Sequence, residues 1–587
     1  MKIRGFRIEL KEVEAVIREY PGIKDATVQA FDYETGGKFI AAYIVSDEKV
    51  DIKELNAFIG KQKPSYMIPA ATMQIDAIPL NQNQKVNRKA LPTPVIQADD
   101  HEYVEPANDM EQQFCDIFSK ILYIDKIGAT DNFFELGGTS LMVTKVIIEA
   151  DKAGHHVAYG DVFTHPTPRM LAQFVSGETT VEDADPEVSD FDYTGIDAIL
   201  KRNNIETFLK GERQQLGHVL LTGATGYLGI HVLRELIDSD ATTITCLVRG
   251  KEQKDAERRL RNLLFYYFEK SYKELFGSRL FVVNGDVTQD LTTLNSQLST
   301  LNSIDIVFNC AANVKHFSKG TDIEDVNIGG AQRCVDFCLK TGARLVHVST
   351  TSVAQIWIDR GDGKPVPSMN EQKLWFGQFL DNRYIHSKFL AERVVLDAVA
   401  HHGLNAKITR VGNLAPRSYD GEFQANFNSN SYMGRLKVFH VLGCCPYDSY
   451  DELTELSPID QTAKAVVLLA STPKECTVFH PFNNHAELLG DVLQLMAKVV
   501  GDEMRFVEAD EFQQALDIAG QDPEKAKLLS ALMAYQDMTH GQKAAVIERD
   551  NRYTCSVLHR LGFNWKDTAW DYVERMLTAI GGFGFFE

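Results

Sequence analysis

The sequence predicts a multidomain chain: a small α+β subdomain, a four-helix unit, and a doubly wound α/β domain ending in a mostly helical subdomain. Three observations predict it. At 587 residues the chain exceeds what one hydrophobic core organises and suggests about three to five units. Strand-like apolar runs alternate with helical patterns from about 216 to 420, as a parallel sheet with crossover helices requires. Two acidic stretches without periodicity, "PTPVIQADDHEYVEP" and "SGETTVEDADPEVSD", separate the units as linkers.

Residues 1–95 open with "ELKEVEAVIREYPGI", which puts Leu10, Val13, Ile17 and Tyr20 on one helical face and stops at Pro21-Gly22. The β-rich runs "ATVQAF" and "KFIAAYIV" flank an Asp/Gly turn, a second helix follows in "DIKELNAFIGKQK", and the polar loop "LNQNQKVNRKAL" closes the unit. Residues 105–177 read as all-helical, with Phe114, Ile117, Phe118 and Ile121 on one face of the first helix. From 196 to 587 the third unit begins as strand, glycine turn and helix in "HVLLTGATGYLGIHVLRELI". Further strands are "TTITCLVRG", "RLFVVNGDV", "DIVFNCAA", "RLVHVSTTS" and "AKITRVGN", and helices dominate from about 421 to 587.

Composition sets outer limits. Apolar residues make up 44% and charged residues 24%, the balance of a globular protein. A net charge of −20 argues against nucleic-acid binding, which needs a basic patch to displace counterions. Nine scattered cysteines show no CxxC pair and no zinc-spaced cluster, so reduced thiols are expected and no metal. The start, "MKIRGFRIELKEVE", has no apolar signal core, and no run approaches the ~18 apolar residues of a membrane span. A cytoplasmic chain with no membrane partner is expected.

In "DNFFELGGTSLMVTKV" a serine opens an apolar-periodic helix. A serine there ordinarily caps the helix. The surrounding pattern closely resembles the attachment motif of acyl and peptidyl carrier domains: Asp131, Phe133, Leu136, Gly137, Gly138, Ser140 and Leu141 match, and "HPTPRMLA" at 165–172 matches the end of that family. The resemblance implies that Ser140 takes a covalent 4′-phosphopantetheine from a phosphopantetheinyl transferase. A helix N-terminus suits the phosphodiester, since its free N–H groups and dipole favour an anion. Gly137 and Gly138 are expected to let the transferase approach the backbone.

The first unit resembles the C-terminal subdomain of nonribosomal peptide synthetase adenylation domains through "KIRGFRIEL", "SYMIP" and "NQKVNRKAL". In that family Lys85 would reach the carboxylate and adenylate atoms. Gln84 and Asn87 depart from the common glycine and aspartate. No ATP-binding core precedes this piece in the sequence, so Lys85 is expected to be a vestigial loop lysine, the chain incompetent for adenylation by itself, and an upstream adenylation core or synthetase module its partner.

"TGATGYLG" fits G-x-x-G-x-x-G between a strand and a helix, the dinucleotide fingerprint of a Rossmann fold. Gly223 is expected to make the tight turn, Gly226 to admit the pyrophosphate and Gly229 to allow close helix packing, with Thr222, Thr225, Tyr227 and Leu228 completing the segment. NAD enzymes carry an acidic residue about 20 positions on. Here "CLVRGKEQKDAERRL" offers Arg249 and Arg259, and guanidinium forks pair with a 2′-phosphate, so NADPH is the expected cofactor.

"YIHSK" puts Tyr384 and Lys388 one helical turn apart. Following the fifth strand-like run of a dinucleotide fold, this pair resembles the catalytic pair of short-chain dehydrogenases/reductases. A lysine cation about 4 Å from a phenol contributes roughly 4 kcal/mol at an effective dielectric of about 20, against about 1.4 kcal/mol per pKa unit. That suffices to bring Tyr384 toward working pH. By the same resemblance Thr350 in "HVSTTSV" would hydrogen-bond the substrate carbonyl, with Thr351 or Ser352 as alternatives. Asp286 and Val287 in "NGDV" would lie on the adenine side. Ala311 and Asn313 in "CAANV", and Gly412 and Asn413 in "VGNL", would flank ribose and nicotinamide. Asn327 in "VNIGGA" would order the central sheet or a water.

Carrier followed by extended reductase resembles the terminal thioester reductase domains of peptide synthetases and carboxylic acid reductases. The resemblance implies that hydride from NADPH reduces an acyl or peptidyl thioester on the Ser140 arm to an aldehyde, or further to an alcohol. Tyr384 and Thr350 would polarise the oxygen, and Lys388 would hold ribose. The alternatives are the end of a carboxylic acid or aminoadipate reductase, a redox-inactive cyclising module and a carrier-docking scaffold. The fold's nucleotide-sugar chemistry has no use for a carrier serine.

Overall fold

The computed structural model describes the chain except residues 1, 4–5, 8–9, 33–37, 63–66, 70, 80–85, 88–89, 95–102, 123, 125, 139, 177–185, 292–303, 316–320, 355, 360–362, 381, 425–429, 521, 523–524, 526–527, 530–543 and 587. Lys85 and most of both linkers lie outside the described residues. The chain divides into two compact units, 1–142 with 166–172 and 143–165 with 173–587.

In the first unit, helix α1 (Leu10–Arg18) buries Val13, Val16 and Ile17. It covers an antiparallel pair, β1 (Ile23–Asp32) and β2 (Lys38–Ser46), registered Ala26 to Ile44 and Phe31 to Phe39. Helix α2 (Ile52–Gln62) contributes Leu55 and Ile59 to the same core. A third strand, β3 (Ala71–Gln74), runs parallel to β2 and is four residues long, too short for alternation to announce it. Helix α3 (Asp109–Leu122) buries Phe114, Ile117, Phe118 and Ile121, the face its spacing predicts.

The second unit is built on a seven-stranded parallel sheet. Its strands are β4 (His218–Thr222), β5 (Thr243–Val248), β6 (Leu280–Asn284), β7 (Ile306–Asn309), β8 (Arg344–Thr350), β9 (Ala406–Val411) and β10 (Val478–Phe479), in the spatial order β10-β9-β8-β7-β4-β5-β6. Strand order reverses at β4, so the crevice at the carboxyl ends of β4 and β7 is the topological switch point where doubly wound folds bind ligands. The interior strands β7 and β9 are buried at every residue; β7 accordingly appears as the apolar run Ile306–Phe308, while β9 buries Lys407, Thr409 and Arg410 among its apolar residues. Helices α4 (Tyr227–Asp238), α5 (Asp322–Thr341) and α6 (Arg383–His402) cover the sheet.

Two boundaries differ from the sequence reading. Residues 186–195, expected as linker, carry Val188 and Tyr193 into the core, where the Tyr193 hydroxyl donates to Val188 O at 3.0 Å. The sheet layer also extends past 420. Strand β10 and the helix Ile459–Leu469, whose Ile459, Ala463 and Val466 join the core beneath α4, both come from the region read as the helical subdomain. Sequence alternation misses the strand because β10 is two residues long. The rest of the C-terminal region packs the helices Ser431–Leu442, Leu489–Val500, Ala509–Gly520 and Trp570–Gly582 around Phe439, Leu493, Phe512 and Met576. Among the described residues no helix is long and apolar enough to cross a membrane.

Candidate functional site

The turn between β4 and α4 is shaped by backbone crowding. Gly223 has φ +72°, and a Cβ there would meet Ala311 N and the Cys310 carbonyl carbon at 2.5 Å. A Cβ on Gly229 would lie 2.0 Å from Gly223 O, so α4 can seat against the turn only with glycine at that position. Gly226 caps α4 with φ −81° and ψ 163° and offers no side chain to the first-turn N–H groups. The helix therefore presents uncapped donors beside a bare backbone, the geometry that receives a pyrophosphate. Thr222 is buried and donates to Asn309 Oδ1 at 2.7 Å, joining the ends of β4 and β7. Thr225 is half-buried in the turn, and Leu228 is buried in the sheet core. The Tyr227 hydroxyl, held above its usual pKa by burial, points to Ala415 O at 3.5 Å.

At the ends of β5 and β6, Arg249 pairs with Asp286 at 3.6 Å, while Arg259 Nη1 donates to Arg249 O at 3.1 Å. Arg259 is held below the usual guanidinium range, first by partial burial and then by the Arg249 charge. Two crowded cations at an open strand end are relieved by a phosphate dianion. Asp286 also accepts from Thr288 N and Oγ1, both at 3.0 Å, and Val287 packs under Gly330.

Ala311 and Asn313 follow β7. Asn313 N donates to Asn327 Oδ1 at 2.8 Å, while Asn327 Nδ2 donates to Asn313 O at 3.0 Å and to Ser387 Oγ at 2.9 Å. Asn327 thus braces this loop against α6 rather than ordering the central sheet.

Asn382 caps α6, its side chain accepting from Tyr384 N at 3.0 Å and Ile385 N at 3.2 Å. One turn on, Lys388 is buried and donates from Nζ to Val348 O at 2.7 Å, two residues before Thr350 on β8. Burial depresses its pKa to about 8, with the carboxylate of Glu392 working in the other direction. Glu392 is itself paired with buried Arg410 at 2.8–3.1 Å. Thr350 ends β8 half-buried, donating to Ser352 Oγ at 3.2 Å and accepting from Ser352 N at 3.1 Å. Thr351 is buried and accepts from Arg549 Nη1 at 3.2 Å, so Thr350 and Ser352 are the hydroxyls nearer the surface. Gly412 and Asn413 follow β9; Asn413 N donates to Glu455 Oε2 at 2.8 Å, and a Cβ on Gly412 would stand 2.5 Å from both Glu455 oxygens.

In the attachment motif, Ser140 is the first residue of the helix Ser140–Lys152, and its side chain lies outside the described positions. The two glycines have an internal reason distinct from access by a transferase. Gly137 adopts φ +97°, and a Cβ on Gly138 would lie 2.4 Å from the ring of buried Phe133. Asp131 Oδ2 accepts from Gly128 N at 2.8 Å and so fixes the loop ahead of that ring.

Family models match in the same order as these parts. The AMP-binding enzyme C-terminal domain matches residues 12–85, the phosphopantetheine attachment site 112–175 and the NAD-binding family described as male sterility protein 221–466. A solved thiolation-reductase di-domain from an archaeal non-ribosomal peptide synthetase is 35% identical, with TM-score 0.73, covering 83% of this chain and 100% of that one. The chain belongs to the thiolation-reductase family of nonribosomal peptide synthetases. The sheet-bearing part of its second unit is an oxidoreductase domain with a nicotinamide-binding fold, and the attachment motif marks a phosphopantetheine carrier. The terminal reductase domain of the myxalamid pathway is 25% identical over 66% of this chain and 97% of its own, with TM-score 0.53. A linear gramicidin synthase polypeptide of Brevibacillus parabrevis is 30% identical over 88% of this chain, and isonitrile lipopeptide synthase of Mycobacterium tuberculosis 28% over 84%. The chain spans 10% and 21% of the length of those two synthases.

Reading the sequence missed four groups at this site. Asn382 stands two residues before Tyr384, where a capping asparagine is the one local signal available. The Glu392–Arg410 pair, Glu455 and Arg549 are joined only by the tertiary fold.

Proposed function

We propose that this thiolation-reductase chain releases an acyl or peptidyl group reductively, from a thioester on 4′-phosphopantetheine at Ser140, with NADPH as reductant. The observation that carries the reading is Lys388, buried one turn from Tyr384 and bonded to the strand that ends in Thr350, beside a glycine turn open to a dinucleotide. Thr222 to Gly229 would hold the pyrophosphate, Asp286 and Val287 the adenosine side, and Ala311, Asn313, Gly412 and Asn413 the ribose and nicotinamide side. Arg249 and Arg259 would select the 2′-phosphate of NADPH. Bound there, the reduced nicotinamide supplies hydride to the thioester carbon.

Thr350 and Tyr384 would donate hydrogen bonds to the acyl oxygen as negative charge gathers on it. Tyr384 would then pass its proton to that oxygen, and the Lys388 cation lowers the cost of the tyrosinate left behind. Loss of the pantetheine thiol gives the aldehyde. Tethering at Ser140 replaces diffusion by a high effective concentration. A phosphopantetheinyl transferase and an upstream adenylation core are the partners this chemistry requires. The nine free thiols suit a reducing cytoplasm.

The test is cofactor oxidation with an acyl-pantetheine thioester. NADPH consumption matched by thiol release supports the reading, and thiol release without NADPH consumption refutes it.

A further inference from the structure

Two turns that face the proposed reaction centre, Thr350–Ser352 after β8 and Gly412–Asn413 after β9, share no direct hydrogen bond among those the structure describes. They leave adjacent strands whose last paired residues are Thr350 and Val411, and beyond that pair they are joined through residues far along the chain. Arg549 Nη1 donates to Thr351 Oγ1 at 3.2 Å and stands 3.8 Å from Glu455 Oε2. The same carboxylate oxygen accepts from Asn413 N at 2.8 Å, while Asn413 Nδ2 reaches Glu455 O at 3.3 Å and Ser457 Oγ donates to Oε1. The path is Thr351, Arg549, Glu455, Asn413.

Its members are fixed from outside. Glu455 has only 4% of its side chain exposed; burial raises its pKa, and the Arg549 charge pulls it back. Arg549 lies in the two-residue strand Glu548–Arg549, which pairs with Ser368–Met369, and Asp550 N anchors to Met369 O at 2.8 Å. Just upstream, Ala544–Val546 pairs antiparallel with Ile356–Ile358. The chain around Arg549 is therefore strapped to the two segments that leave the hydroxyl-bearing turn. The guanidinium also sits over the Phe482 ring at 5.6 Å, and Phe482 crowds Gly412.

We propose that Arg549 and Glu455 are positioning residues that set the distance between the Thr350 hydroxyl turn and the nicotinamide-side turn at Gly412–Asn413. Neither supplies a proton or touches the reacting carbon. Together they form a charged strut whose length fixes how the hydroxyl donors meet the carbonyl when hydride arrives. The hydrogen bonds at the two ends of the strut, Arg549 to Thr351 and Asn413 N to Glu455, are directional and charge-assisted, and the 3.8 Å ion pair between Arg549 and the buried Glu455 carboxylate joins them, which holds such a distance more tightly than apolar packing would. This inference rests on the reductase reading above.

The experiment compares wild type, R549M, R549K and E455Q in the full chain, with an acyl-pantetheine thioester and NADPH. It reads single-turnover hydride transfer, KM for the thioester, NADPH affinity and melting temperature. Misplacement of a catalytic group by about 1 Å costs on the order of 100-fold. The expected result for R549M and E455Q is therefore a fall in kcat of about 10- to 100-fold with KM and NADPH affinity within about twofold. R549K should recover part of the rate, since it restores charge without the fork. The double variant R549M/E455Q should be no slower than the worse single variant.

Wild-type rates in R549M and E455Q overturn the strut. So does a rate loss matched by equal losses of NADPH affinity and melting temperature, which is general destabilisation. Should R549M not fold, R549K and E455Q carry the same comparison. If wild type itself consumes no NADPH with the thioester, the reductase reading falls and takes the strut with it; an active wild type with unaffected variants removes the strut alone.

Discussion

Replacing Gly229 and Gly226 by alanine, one at a time, separates the two duties of the glycine turn. A Cβ on Gly229 would sit 2.0 Å from Gly223 O and 2.8 Å from its carbonyl carbon, both main-chain atoms that cannot rotate away. Ordinary contact begins near 3.4 Å, so α4 must retreat by about 1.4 Å, the difference of the two distances. Overpacking of that kind costs about 1–3 kcal/mol of stability. It also moves the helix N-terminus off the phosphates, and losing about 2–3 kcal/mol of charge-assisted hydrogen bonding weakens dinucleotide binding roughly 30- to 150-fold. Gly226 differs: its φ of −81° suits any residue, and its Cβ would meet only Gly223 O, at 3.3 Å. G226A should therefore keep its melting temperature and lose affinity, because the methyl occupies space beside the pyrophosphate. Fluorescence titration with NADPH and a melting curve for each variant check this. A G229A variant that melts and binds like wild type refutes the packing argument, and a G226A variant that binds like wild type refutes the pyrophosphate assignment.

Tyr384→Phe should lower NADPH-dependent turnover by about 100-fold or more while leaving NADPH affinity and melting unchanged, since proton donation is worth about 10²–10⁴-fold; undiminished turnover discards the proton-donor role. Lys388, depressed to about 8 by burial, is charged at neutral pH and loses its proton as pH rises. kcat/KM should accordingly fall about tenfold between pH 7 and pH 9, and a flat profile to pH 10 contradicts the account. The same depression means the unfolded chain holds that proton more tightly, so this group's penalty on stability is full below pH 8 and is relieved as pH climbs toward the lysine's ordinary value. Arg249→Ala combined with Arg259→Ala should reduce the preference for NADPH over NADH by about 10- to 100-fold, read as the ratio of kcat/KM values; an unchanged ratio moves the 2′-phosphate site elsewhere.

What the sequence disclosed follows the range of the interactions involved. The fingerprint, the Tyr384/Lys388 spacing and the attachment motif are local, and each lies within about a helical turn or a single strand–turn–helix. Their glycines make the point well. Gly223 and Gly229 could be given packing roles from spacing alone, whereas Gly138 could not, because the Phe133 ring that excludes a Cβ there is brought back by the loop's own fold. Short strands were illegible: β3 and β10 have four and two residues, too few for a period to show. Non-local charge was illegible for another reason. Glu392 meets Arg410 across 18 positions, and Arg549 meets Glu455 across 94 (549 minus 455); nothing in either neighbourhood marks the partner. The linker ahead of the reductase looked longer than it is because acidic composition masks Val188 and Tyr193, which are core residues.

The most direct measurement follows one hydrogen atom. The protein is loaded at Ser140 with an acyl-pantetheine and given NADPH deuterated at the transferable position, and products and carrier are then weighed by mass spectrometry. The account predicts an aldehyde (or its alcohol) carrying the deuterium, together with a free pantetheine thiol on Ser140. Release of an unlabelled acid or cyclic product, or an acyl group that stays on the carrier while NADPH is untouched, contradicts it.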